Sequence, residues 1–242
     1  MHGRILFADN PWPDGHAIVA FAFQILLDES GPRLLLDLES EDYDAHHDPD
    51  ANEELGKGDW NSKGVWGNYH ACSLSNVKWG VTPATAPLLT APVDAMPDTI
   101  AVRADPVAAD GTSPLCHDDH AFHIYLLGHD SVHDHDIRIT RATGGLYKVA
   151  WSGLIALSYA GDDVFRHRFR SEVHDVVFGG FRIENPNPAA GLHFVYPKPV
   201  PPTPEAREAR ARSLVTRFVR NASALSFRPG LGFSPDALDV QT

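Results

Sequence analysis

The chain has 242 residues, 43% of them hydrophobic, and a formal net charge of −12 at pH 7. That length holds one large domain or two small ones, and that composition suffices for a buried core. The charge is uneven, −17 over residues 1–136 and +5 over residues 137–242; an acidic surface lacks the cationic footprint that displaces counterions from nucleic acid.

Taken in chain order, the start MHGRILFADNPWPDGH has no apolar leader, which predicts a cytoplasmic protein. No apolar run is long enough to span a membrane as a helix. HAIVAFAFQILLD and PRLLLDLES are apolar runs joined by ESG, a hairpin pattern. Residues 37–54 carry nine acids and no base. Within them Asp42, Asp44, Asp48 and Asp50 are candidate calcium ligands, although no glycine holds the sixth place of an EF-hand loop. Trp60, Trp66, Tyr69 and Trp79 follow among glycines and asparagines. Exposed aromatics of that kind stack on ligands or anchor protein partners, so they form a candidate binding surface.

DTIAVRAD, HAFHIYLLG and DIRIT read as short strands. YKVAWSGLIALSY alternates apolar and small or polar residues with period two, and VFRHRFRSEV repeats the pattern after the turn AGDD. The two form an antiparallel hairpin with one buried face. Phe165, His167 and Phe169 share its apolar side, which makes His167 a candidate pocket wall. Arg166, Arg168 and Arg170 share the other, a ladder able to hold an anionic ligand or the chain's own acidic segment. DVVFGGFRIE and LHFVY are further strands. Thr203 then caps a helix with Pro204 at its first position and a stripe of Leu214, Phe218, Ala222 and Leu225.

These elements predict a mainly all-β fold, an antiparallel β-sandwich or jelly roll over residues 1–200. One C-terminal amphipathic helix, within 201–227, packs on the same domain, and residues 228–242 form an irregular tail.

Six of the fourteen histidines fall in CHDDHAFHIYLLGHDSVHDHD, residues 116–136. His133 and His135 stand at i and i+2, on one face of a strand, where two imidazoles can share an ion. His117, His120 and His123 form a second candidate set. Gly128-x4-His133-x-His135, with Gly180, Pro186, Gly191 and His193 downstream, resembles the two metal-site motifs of the cupin family. The resemblance implies a jelly roll and a divalent transition metal held by His133, His135 and His193. The glutamate that family carries after its HxH is missing, since the span here reads IRITR.

No Walker loop, GxGxxG, GxSxG or HExxH is present. The sequence therefore points to a non-catalytic module for a small ligand or protein, with no nucleic-acid or membrane partner. Its alternatives are a cupin-like metal-dependent enzyme and a calcium-stabilised structural module.

Overall fold

The computed structural model describes residues 1–45, 58–77, 85–115, 119–183, 203–228 and 236–240. In chain order the described elements are β1 (His2–Phe7), β2 (His16–Asp28), β3 (Gly31–Ser40), α1 (Lys63–Gly67), β4 (Ser73–Ser75), β5 (Val93–Asp94), β6 (Thr99–Ala104) and β7 (His123–Tyr125). There follow β8 (Ser131–Arg141), β9 (Tyr147–Ala156), β10 (His167–Val176), β11 (Phe178–Ile183), α2 (Pro204–Phe218), β12 (Val219–Arg220), β13 (Leu225–Arg228) and β14 (Asp236–Val240). The protein is mostly β and its strand pairs are mainly antiparallel. It divides into two compact units, one of Met1–Phe23, Leu35–Pro87 and Asp98–Phe178, the other of Gln24–Leu34, Leu88–Pro97 and Gly179–Thr242.

In the first unit the strands run in the order β2-β1-β10-β9-β8-β6. The alternation read in the sequence sets the faces. On β9, Tyr147, Val149, Trp151 and Ile155 are buried, while Lys148 is exposed. On β10, Phe169, Ser171 and Val173 are buried and Arg168, Arg170 and Glu172 are exposed. Trp151 packs on Phe122 with ring centroids 4.7 Å apart, and burying each such side chain contributes about 1.5–3 kcal/mol. The pairing of β8 with β9 slips between His133 and Asp136, where Asp134 takes φ 51°. That bulge bends the strand and leaves His133 and His135 both inward. Strands β3, β4 and β7 pair in turn, also antiparallel.

In the second unit β13, β14 and β11 form an antiparallel ladder, and β12 pairs in parallel with β5. Thr203 caps α2 by accepting the Ala206 N–H at 3.2 Å, and Ala211, Leu214, Val215 and Phe218 are buried. The helix is shorter than the sequence predicts. It stops at Phe218 because Val219 turns extended and pairs with Val93, and Asn221 follows in the left-handed region with φ 56°. Ala222 and Leu225 thus lie beyond the helix. The expected irregular tail contains a strand, β14, whose backbone pairs with β11 and β13. The segment LHFVY lies outside the described residues.

Candidate functional site

His133 and His135 come together with Asp105 and His120, all of them buried. Trp151 Nε1–H donates to His135 Nδ1 at 3.1 Å. An indole nitrogen only donates, so Nδ1 must be the acceptor and Nε2 carries the ring proton. Nε2 lies 3.7 Å from Asp105 Oδ2. In this arrangement one nitrogen of His135 is engaged by the indole and the other faces the Asp105 carboxylate. The His133 ring stacks on Phe165 at 4.1 Å and meets the His120 ring edge-on at 4.2 Å. Neither nitrogen of His133 has a hydrogen-bond partner among the described residues.

Burial, and then the neighbouring histidines, lower both pKa values from 6.5 to about 3, so both rings are neutral. Burial raises the Asp105 carboxyl from 3.8 to about 6, against the N–H groups of Ala121 and Phe122. Among the described residues no three or more His, Cys, Asp and Glu side chains are grouped to hold a metal ion. His123 stands half-buried on β7, its ring 6.2 Å from that of His120. His117 and His193 lie outside the described residues.

Trp60 and Trp66 do not form an exposed surface. Trp66 is fully buried and Trp60 is 5% exposed. Trp66 Nε1–H donates to the Trp60 carbonyl at 3.0 Å, and Trp60 Nε1–H to the Ala8 carbonyl at 2.9 Å. A 3-10 turn at Asp59–Asn61 and α1 fold these rings inward, around His16. Phe7, Trp12, Tyr43 and Trp66 surround the His16 ring, and burial lowers its pKa to about 4. Nothing in the sequence marks His16, because it opens an apolar strand without any motif. Tyr69 is half-buried and Trp79 lies outside the described residues. His167 stacks on Trp60 at 4.0 Å and lines no part of the cleft beside Arg168 and Arg170. Of the acidic loop, Asp42 accepts the Asp44 N–H at 2.8 Å and contacts His70 at 3.2 Å. Asp48 and Asp50 lie outside the described residues.

The opposite face of the same sheet is open. Register places Leu6, Arg170, Ser152, Asp136 and Arg103 in one row across β1, β10, β9, β8 and β6. Arg4, Glu172, Ala150, Arg138 and Ala101 form the next row. Small residues on β9 leave a floor between long arginines. A cleft of about 850 Å³ lies over this face, walled by Asn10 and Pro13 on one side and Arg103 on the other, with Arg168 and Arg170 within it. A second cleft of about 590 Å³ adjoins Arg138 and Arg170.

Several charges of this face are committed. Arg103 pairs with Asp136 at 3.3 Å and Lys148 with Glu172 at 2.6 Å. Arg4 donates to the Asp14 and Gly15 carbonyls, each at 2.7 Å. Arg166, at the edge of the ladder read from the sequence, pairs with Asp162. The guanidinium groups of Arg138, Arg168 and Arg170 are exposed and make no ion pair or hydrogen bond among the described residues. Asp9 and Asp134 add negative charge at the rim. A guanidinium offers a fork of donors that fits carboxylate and phosphate oxygens in pairs.

No helix of the described residues is long and apolar enough to cross a membrane. Compared with protein-family models, curated proteins and solved structures, the chain matches none.

Proposed function

We propose that the protein is a non-catalytic binding module that takes a small anionic ligand on the outer face of the β1-β10-β9-β8-β6 sheet. The observation that carries this reading is the set Arg138, Arg168 and Arg170, without an ion pair or hydrogen bond of their guanidinium groups among the described residues, over a floor of Ala150 and Ser152. The cleft volume of about 850 Å³ falls within the range of small-ligand sites, roughly 300–1,000 Å³. A cationic island on a chain of net charge −12 draws a small anion while the surrounding acids repel extended polyanions. The reading keeps the sandwich-type packing and the cytoplasmic location expected from the sequence.

Calorimetric titration with citrate and with inorganic phosphate tests it. Binding of either to the native protein, lost in the Arg168→Ala/Arg170→Ala double variant, is the expected result. Equal binding by the variant, or none by the native protein, overturns the proposal.

A further inference from the structure

At the far end of the same strand pair, β1 and β10 set two histidines directly opposite one another. His2 is the register partner of His174 in the antiparallel ladder, so their Cβ atoms are about 4.5–5.5 Å apart. Their rings stack with centroids 5.0 Å apart and planes 8° from parallel. Each ring leans on its own carboxylate. His2 Nδ1 lies 3.2 Å from Asp175 Oδ2, and His174 Nε2 lies 2.8 Å from Glu172 Oε1. Asp175 reaches that position because β10 is irregular between Val173 and Val176, with φ 54° at Asp175.

We propose that His2 and His174 together form a two-ligand site for a divalent transition ion of the zinc or nickel type, with water completing the coordination. A ring nitrogen that donates its proton to a carboxylate leaves the other nitrogen with a free lone pair, and metal-bound histidines are oriented in this way. Here that leaves His2 Nε2 and His174 Nδ1 as the ligating atoms. Both side chains reach solvent, at 70% and 37% exposure, so their rings can turn until both nitrogens meet an ion at about 2.0–2.1 Å. The carboxylates of Asp175 and Glu172 supply negative charge beside the ion, with Glu172 shared with Lys148 at 2.6 Å. The site differs in kind from the buried histidines of β8. Those are closed to solvent, and the Trp151 indole engages His135 Nδ1.

The test is calorimetric titration of the untagged full chain with zinc chloride in a non-coordinating buffer near neutral pH. The native protein is expected to bind one more equivalent than either His2→Ala or His174→Ala. Glu172→Gln, which keeps both ligands but weakens the orienting acceptor, is expected to lower the affinity about ten-fold. Histidine NMR signals of both rings shift together as zinc is added. Unchanged stoichiometry and affinity in His174→Ala would overturn the proposal, as would zinc leaving both ring signals unmoved. Circular dichroism of each variant separates loss of the site from loss of the fold.

Discussion

A tryptophan indole decides the chemistry of His135. Because Trp151 occupies Nδ1, Trp151→Phe keeps the ring and strands a buried acceptor, which costs about 1–3 kcal/mol. Urea unfolding measures the loss, and long-range nitrogen–proton NMR of the native protein is expected to show His135 protonated on Nε2. His133 behaves oppositely. Its nitrogens have no partner among the described residues, so His133→Phe is expected to be near neutral in stability at pH 7. The pH dependence separates the two states further. His16, His133 and His135 have folded pKa values of about 4, about 3 and about 3, all below 6.5. Below pH 6.5 the unfolded chain takes up protons that the folded chain refuses, so their stabilising contribution is present above 6.5 and falls with pH. Each adds a slope of up to about 1.4 kcal/mol per pH unit. Asp105, raised to about 6, acts the other way between 6 and 3.8, where the folded form holds the extra proton. His133→Phe is therefore expected to flatten the slope of unfolding free energy between pH 6 and 4 by about one proton's worth. An unchanged slope would mean that the His133 ring titrates normally and is not sealed.

Among the elements, β9 and β10 were the most legible in the sequence, because a period of two survives in any half-buried strand. The arginine ladder followed from the same alternation, and two of its three members, Arg168 and Arg170, are uncommitted on the open face among the described residues. What the alternation hides is partnership. The HxH of β8 reads as two imidazoles on one face, yet Trp151 comes from β9 and Asp105 from just past β6, and no local pattern announces either. The end of α2 was hidden for a similar reason. The apolar stripe runs on through Ala222 and Leu225, but Val219, just before them, pairs with Val93, over a hundred residues upstream, and ends the helix. Trp60 and Trp66 looked exposed because glycine and asparagine surround them. A 3-10 turn and five residues of helix are too short to leave a period. Two substitutions test the elements separately. Gly153 faces Phe169 across the ladder, and a Cβ there would meet the His133 carbonyl and the Phe169 ring, each at 2.7 Å. Gly153→Ala is expected to destabilise the sheet by about 1–3 kcal/mol through overpacking, read as a lower midpoint in urea. Thr203→Ala removes the cap of α2 and is expected to cost about 1 kcal/mol, read as faster hydrogen exchange in the first turn of that helix.

At the scale of the molecule, the charge asymmetry of the sequence acquires a location. The half of the chain with net charge +5 supplies Arg138, Arg168 and Arg170, and the period of β8 and β10 turns all three to the open face. They have no partners to lose among the described residues, so reversing them should barely disturb folding, within about 0.5 kcal/mol for each exposed site. Binding should respond far more strongly. Arg168→Glu with Arg170→Glu removes two positive charges and adds two negative ones beside Asp9 and Asp134. Citrate affinity in the native protein is expected to fall steadily as salt rises from about 0.02 to about 0.3 M, because the face is solvent-exposed and its charges are screened. In the doubly reversed protein citrate is expected not to bind at any salt concentration, with the urea midpoint nearly unchanged. A native affinity independent of salt would show that citrate is held by something other than these arginines. A large drop in the urea midpoint would show that the arginines are structural, held by partners in solution, and the open face would lose its claim to be a binding surface.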